Sequence, residues 1–250
     1  MALAGKTVLI TRAANDAEAF ARAVRERGAE PIIAPTIEIG PPDDAAAAQR
    51  AVREIGRYSW IVFTARPGVD AFFENLQSLG DPLSMANVKV AAVGPKTAER
   101  LRSFGIQADL VASRFTTDDV SRELLERTRE GDRVLIYAAQ ESRDVLRSVL
   151  EGNGRVPIVV AAYKTRLASN PNFPQKVARA NVLTFTSGST VRGFVALLGG
   201  RDAAIRTARG KVVACIGPVT ADEARDAGLH VDAVAEEYTT EGLLAVLERI

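Results

Sequence analysis

The sequence predicts an α/β protein built on parallel sheets, and three observations carry that expectation. Short apolar runs rich in Val and Ile recur along the 250 residues. Each run is nearly continuous and does not alternate with polar residues, as suits parallel strands buried on both faces. Nearly all are followed by stretches of Ala, Arg, Glu and Leu with helical spacing, and strand-then-helix repetition yields helix-covered parallel sheets. Finally, the chain repeats itself at half its length.

Taken in order, KTVLIT (6–11) is the first strand, and the helix DAEAFARAVRERG (16–28) follows it to Gly28. WIVFT (60–64) and VKVAAV (88–93) are strands, the second leading into the helix PKTAERLRSFG (95–105). SRELLERTREG (121–131) has a helical pattern and DRVLIY (132–137) returns to strand. VPIVVAA (156–162), NVLTFT (181–186) and KVVACI (211–216) are further strands, and VTADEARDAG (219–228) a further helix. Gly28, Gly105 and Gly228 suit the left-handed residue that closes many helices, because glycine takes positive φ without a Cβ clash.

The repeat is visible in fixed offsets. VAAVGPKTAERLRSFGIQADLVASRFTTDDV (90–120) resembles VACIGPVTADEARDAGLHVDAVAEEYTTEGL (213–243), with Gly94 and Gly217, Thr97 and Thr220, Gly105 and Gly228, and Thr117 and Thr240 all 123 apart. Phe63 and Phe185 are 122 apart within WIVFTARPGVDAFF and NVLTFTSGSTVRGF. VLITRA (8–13) matches VLIYAA (134–139), and EPIIAPTIEI matches VPIVVAAYKT with Pro31 and Pro157 126 apart. A period this long means two duplicated halves, about 1–126 and 127–250, and not a solenoid.

Composition narrows the function. With 32 Lys and Arg against 31 Asp and Glu, the net charge of +1 argues against a non-specific grip on nucleic acid or an anionic membrane. The single Cys215 cannot form an internal disulfide, and with the single His230 it cannot build a zinc cage. No apolar run approaches a membrane span, and the apolar run near the amino terminus is too short for a signal peptide. A cytoplasmic protein without metal or other cofactor is expected, with a monomer as the default. Neither a P-loop, a GxGxxG fingerprint nor a GxSxG elbow occurs. His230 in LHVDAV suits a partly exposed structural residue at a strand start, and Cys215 a core thiol.

What remains is a set of polar turns between strands and the helices after them. They are Thr11-Arg12, Thr64-Ala65-Arg66, Gly94-Pro95-Lys96-Thr97, Phe115-Thr116-Thr117, Thr186-Ser187-Gly188-Ser189, Gly217-Pro218-Val219-Thr220 and Tyr238-Thr239-Thr240. Helix starts expose unpaired N–H groups that favour anions, and α/β domains bind ligands beyond the carboxyl ends of their strands. Plain capping explains any one turn, Thr117 and Thr240 included. Their recurrence in both halves points to a rim facing a ligand with many carboxylates or phosphates. Tyr163, in VVAAYKT, stands where the first half has Ile37, so its phenol lies outside the shared scaffold. It suits either a residue covering a domain junction or a phenol donor, and position alone does not choose.

Eight of these stretches are similar, in order, to uroporphyrinogen-III synthases: VLITRA, PTIEI, WIVFTARPGV, VAAVGPKTAERLRSFG, VLIYAAQESRDVL, VAAYKT, VLTFTSGSTV and VACIGPVTADEARDAG. The resemblance spans residues 5–247. It implies two flavodoxin-like α/β domains joined by a two-stranded linker, on top of the tandem repeat. Residues 1–35 with 167–250 would form one domain and 41–160 the other, with linkers at 36–40 and 161–166. It also implies the reaction: hydroxymethylbilane, a linear tetrapyrrole with carboxylate side chains, loses water and closes to uroporphyrinogen III. The last ring is inverted through a spiro intermediate, and no metal or organic cofactor takes part.

Carried over by motif, Tyr163 would assist the leaving hydroxyl. Thr220, Thr97 and Ser187 would hold substrate, with Arg12, Ser189 and Thr64 as further contacts. One turn departs from the pattern: where the family reads Phe-Thr-Ser-x-Asn-Gly, this chain reads Phe-Thr-Ala-Arg-Pro-Gly, so Ala65 and Pro67 remove a hydroxyl and an amide while Arg66 adds a charge. That departure favours an alternative, a non-catalytic tetrapyrrole or polycarboxylate sensor on the same scaffold. A two-domain binding protein of periplasmic type is a second alternative, disfavoured by the absence of an export signal.

Overall fold

The computed structural model describes residues 3–79, 87–113, 116–142 and 144–250. The chain divides into two compact units: the segment up to Glu38 together with Arg166–Ile250, and the continuous segment Ile39–Thr165.

In chain order, β1 (Thr7–Ile10), α1 (Ala14–Glu26), β2 (Glu30–Ile33) and β3 (Ile37–Gly40) come first. Then follow α2 (Ala45–Arg53), β4 (Trp60–Phe63), α3 (Arg66–Leu79), β5 (Lys89–Ala92), α4 (Pro95–Ser103) and β6 (Leu110–Val111). Next are α5 (Thr117–Arg127), β7 (Arg133–Ala139), α6 (Val145–Gly152) and the long β8 (Val156–Leu167). The rest is α7 (Phe173–Arg179), β9 (Val182–Phe185), α8 (Gly188–Leu197), α9 (Arg201–Ala208), β10 (Val212–Cys215), α10 (Pro218–Asp226), β11 (Ala233–Val234) and α11 (Thr240–Leu247).

In the discontinuous unit the sheet order is β11-β10-β9-β1-β2, with every neighbouring pair parallel. Counted by first appearance this is the order 2-1-3-4-5, whose direction of progression reverses between β1 and β9. In the continuous unit the order is β3-β8-β7-β4-β5-β6, with β8 through β6 parallel. Strand residues alternate between two cores. Leu9, Leu183 and Cys215 pack on one face with Phe173 and Phe194, while Val8, Ile10 and Ala214 pack on the other with Phe20 and Leu243. The second sheet does the same, with Ile61, Phe63 and Tyr137 opposite Trp60, Val62 and Ile136. Both faces are covered, so the runs carry no polar alternation. The helices are amphipathic for the same reason: α1 buries Ala17, Phe20, Ala21 and Val24, a single helical stripe.

Gly28, Gly105 and Gly228 have φ of 75°, 80° and 82°, as their helix-ending role requires. Two local expectations are corrected. The N-caps are Thr116 and Thr239, whose hydroxyls accept from Asp119 N and Gly242 N, so Thr117 and Thr240 are first helical residues. His230, its side chain 88% exposed, precedes β11 by a loop, its one acidic partner among the described residues being the Asp232 carboxylate at 3.5 Å. EPIIAPTIEI, quoted for its match to VPIVVAAYKT, holds two strands, with Pro35 between β2 and β3. Phe115, named in one of the polar turns, lies outside the described residues.

A buried threonine network ties the discontinuous unit together. Thr11 Oγ1 donates to Thr184 O at 2.7 Å and Thr184 Oγ1 to Leu9 O at 2.6 Å, linking β1 to β9 through side chains as well as the ladder. Thr36, fully buried, donates its amide to Thr11 O at 2.9 Å, and its hydroxyl lies 3.1 Å from Thr11 O and 3.0 Å from Thr190 O. Helix α8 can lie over Thr36 only because position 193 is glycine: a Cβ there would sit 2.6 Å from Thr36 O and 2.9 Å from its Cβ. Gly193→Ala is therefore expected to destabilise by about 1–3 kcal/mol. Gly152→Ala, at the open end of α6 with nothing within 4 Å, should be neutral or stabilising. Chemical denaturation of the two variants, with their midpoints compared, checks the pair.

Candidate active site

The polar turns follow the carboxyl ends of parallel strands. In the discontinuous unit Thr239 follows β11, Thr220 follows β10, Ser187 and Ser189 follow β9, and Thr11-Arg12 follows β1. The last two turns flank the reversal between β1 and β9, where sheets of this order bind ligands. In the continuous unit Thr97 follows β5 and Thr64 follows β4, while Tyr163 stands on β8. Arg12, Ser187, Ser189 and Thr220 thus share one sheet edge, and Thr64, Thr97 and Tyr163 share another.

Thr97 and Thr220 occupy the same place in their helices. Each follows a glycine N-cap and a proline at the first helical position, and each is 5% exposed. Neither Gly94 nor Gly217 can supply a capping oxygen, so the helix-start amides meet no side-chain acceptor of their own. Neither threonine hydroxyl bonds to a described residue. The two turns combine amide donors with a hydroxyl, and that combination suits a carboxylate.

Ser187 differs. It forms a capping box with Thr190, each side chain meeting the other's backbone amide at 3.3 Å, and its hydroxyl lies 2.8 Å from that of Ser189. Arg12 is half-buried and pairs with Asp16 at 3.2 Å, one turn along α1. Beside this edge, Glu223 Oε2 pairs with Arg192 at 2.7 Å. A Cβ on Gly188 would come within 2.9 Å of that oxygen, so glycine lets this carboxylate lie against the start of α8. Sequence reasoning passes over Arg192 and Glu223, since a helix-to-helix ion pair has no local signature.

Tyr163 owes its position to an irregular strand. Ala138 pairs with Ala161, but Ala139 pairs with Tyr163, so β8 carries an extra residue at Ala162. A bulge breaks the alternation of faces, and consecutive Ala162 and Tyr163 enter the same core. Gly68 at the start of α3 makes room: a Cβ there would lie 3.1 Å from Tyr137 O and 3.9 Å from the Tyr163 ring. The departure in the turn at 64–67 thus keeps the glycine this packing needs. Gln140 N donates to Tyr163 O at 2.8 Å. The Gln140 amide and Lys164 both reach the Asp43 carboxylate, at 2.6 and 2.8 Å, while Glu141 accepts from Thr165 N at 3.3 Å. Sequence reasoning also misses Gln140 and Glu141 as neighbours of Tyr163, their only signal being polar residues directly after a strand.

The Tyr163 ring is 8% exposed and its hydroxyl makes no hydrogen bond to a described residue. Burial, followed by the nearby Glu141 carboxylate, pushes its pKa from 10.0 up to about 12. Tyr137 is raised to about 12 by burial too, but Asn75 Nδ2 donates to its oxygen at 3.0 Å, deep in the core. Of these two phenols only Tyr163 has a hydroxyl with no hydrogen-bond partner among the described residues. Cys215, buried in the sheet, is likewise raised to about 12 and stays a thiol.

A phenol that is harder to ionise when folded contributes stability that is whole below pH 10 and lost as pH rises toward 12. In an alkaline titration read at the phenolate absorbance, the difference between parent and Tyr163→Phe is expected to rise near pH 12. A rise near 10 would mean that the phenol is open to water.

Comparison with known proteins gives a consistent result. The family model described as uroporphyrinogen-III synthase HemD matches residues 18–245. A uroporphyrinogen-III synthase of Synechococcus elongatus is 32% identical, over 99% of this chain and 96% of its own. A porphyrin biosynthesis protein HemD of Ruminiclostridium josui is 31% identical over 99% of this chain, which spans 49% of that longer protein. Among solved structures, a mutant uroporphyrinogen III synthase of Thermus thermophilus shares the fold with a TM-score of 0.66, at 20% identity and 98% coverage of both chains. A Helicobacter pylori uroporphyrinogen-III synthetase does so with a TM-score of 0.62, at 17% identity and 96% coverage of both.

Proposed function

The chain belongs to the uroporphyrinogen-III synthase family, a cyclising lyase of tetrapyrrole biosynthesis, and from that premise we propose how its residues serve the reaction. The substrate is hydroxymethylbilane. A carbon–oxygen bond breaks, the hydroxyl leaves as water, and the terminal ring closes inverted to uroporphyrinogen III.

One observation supports the residue assignment: a bulge sets Tyr163, protonated and with no hydroxyl partner among the described residues, at the sheet edge whose turns also carry Thr64 and Thr97. A phenol with a pKa of about 12 is a poor proton source near neutrality. Its role is to donate a hydrogen bond to the departing hydroxyl as negative charge grows there. The uncapped amides before Thr97 and Thr220, with their hydroxyls, hold substrate carboxylates. Ser187, Ser189, Arg12 and Thr64 add contacts. Fixing the substrate's carboxylates decides which face of the terminal ring meets its partner, so positioning supplies product control.

The same reading extends to organisation. Each unit is a flavodoxin-like domain, the residues near 36–40 and 161–166 are the linkers, and the two halves arose by duplication. The matching strand orders support this: β6-β5-β4-β7-β8 in one unit parallels β11-β10-β9-β1-β2 in the other, each combining strands from both halves. The enzyme works as a monomer in the cytoplasm, apart from nucleic acid.

The test is isomer analysis of product when the protein is coupled to the enzyme that makes hydroxymethylbilane. Mainly type III product is expected; type I alone, at the rate of the blank, would overturn the reading. Tyr163→Phe should lower turnover about 10- to 100-fold, the worth of one hydrogen bond to a charged group. It should leave the thermal midpoint within a few degrees, and unchanged turnover would remove Tyr163 from the chemistry.

A further inference from the structure

At the amino ends of β4, β5 and β7, the edge of the continuous unit opposite Tyr163, lies a cavity of about 450 Å³. Four cationic side chains line it: Arg57, Lys89, Arg127 and Arg129. One carboxylate, Asp132, is in the lining too; it accepts from Ser59 Oγ at 3.1 Å and from the Arg129 backbone amide at 2.8 Å and so offsets one of the four positive charges. Among the described residues only Arg57 has an acidic partner, Glu54 at 3.1 Å on the same short turn. Arg127 spends one nitrogen on the Asp109 carbonyl at 3.1 Å, and no acid among the described residues meets Lys89 or Arg129.

Simple helix complementarity explains Arg127, which closes α5 where backbone carbonyls gather. It does not explain Lys89, on the first residue of a strand, or Arg129, beyond the helix. Like charges repel, and gathering them in one concavity costs stability unless an anion is recruited. Trp60 is 2% exposed, its ring lying 5.5 Å beneath the Lys89 ammonium. So buried a ring offers no platform for a nucleobase. We propose that this cavity is a binding site for a compact linear phosphate, the guanidinium forks of Arg127 and Arg129 and the ammonium of Lys89 meeting its oxygens. Guanidinium geometry matches phosphate bidentately, and a short chain of phosphates supplies the charge density that several cations demand.

Trp60 is the chain's single tryptophan, so its emission reports on the cavity alone. The test titrates sodium tripolyphosphate at constant ionic strength, following Trp60 emission and, in parallel, heat by calorimetry. Saturable one-to-one binding is expected. Arg129→Gln and Lys89→Gln should each weaken it at least about tenfold, the loss of one charge-assisted contact. Arg206→Gln, on α9 of the other unit, should leave it unchanged. ATP binding as tightly as tripolyphosphate would support recognition of the phosphate chain itself. ATP binding alone would overturn it, since the nucleoside would then be required. Citrate matching tripolyphosphate, or affinities indifferent to both cavity variants, would also overturn it as mere ionic association.

Discussion

The parallel pairing of β1 with β9 is the contact on which the discontinuous unit depends. Val8, Leu9 and Ile10 meet Val182, Leu183 and Thr184, residues about 174 positions away, and every other strand of that sheet is attached through one of these two. The ladder alone is three pairs long, and the buried threonines reinforce it. Across it Thr11 Oγ1 donates to Thr184 O and Thr184 Oγ1 to Leu9 O, and Thr36 pins the chain leaving β2 to both Thr11 and α8. Such bonds are each worth about 1 kcal/mol net, but a buried hydroxyl left unpaired costs more than that, so the network specifies one register. Loop closure over so long a segment grows only logarithmically in cost, and the intervening chain is itself a compact unit. That unit can form during synthesis before β9 exists, after which β1 finds its partner.

This pairing also makes the edge proposed to meet the ligand. Where the direction of strand progression reverses, the helices after β1 and β9 depart to opposite faces, leaving their starting turns apart with room between them. Arg12 on one side and Ser187 with Ser189 on the other sit at one edge because strands about 174 positions apart are joined. On the proposed reading, recognition and folding rest here on the same bond pattern, so damage to β1 would disturb the edge that carries Arg12, Ser187 and Ser189.

Much of this is legible in the residues, and the failures have physical reasons. Continuous Val and Ile runs give strands such as Trp60–Phe63, all four residues buried, because two covered faces leave no place for polar alternation. Gly28, Gly105 and Gly228 give helix ends, because positive φ is a local property. The two-residue strands Leu110–Val111 and Ala233–Val234 escape, since so short a segment has no period and is a strand only by its neighbour. Threonine pairs hide which member caps, as both 116 and 117 are suitable chemically and backbone geometry decides. Tyr163 stands out because its repeat partner is Ile37, but the bulge that turns it into the core is invisible in VVAAYKT. The exchange of strands between halves comes from resemblance, because pairing partners far apart leave no mark on local pattern.

A net charge of +1 is compatible with anion recognition at both edges of one sheet, and the two edges must achieve it differently. In a parallel α/β unit the helices run against the strands, so helix starts gather at the carboxyl edge and helix ends at the amino edge. At the carboxyl edge the proposed reading needs only the partial positive charge of helix-start amides, to which the turns carrying Thr64 and Thr97 would add hydroxyls. At the amino edge the same dipoles present carbonyl oxygens, which repel an anion. Full cations are then needed to overcome that field, and they are found there: Arg127 where α5 ends, Lys89 where β5 begins, and Arg129 between α5 and β7. Asp132, held by Ser59 Oγ and the Arg129 backbone amide, offsets one of the four positive charges in the cavity lining and leaves the balance positive.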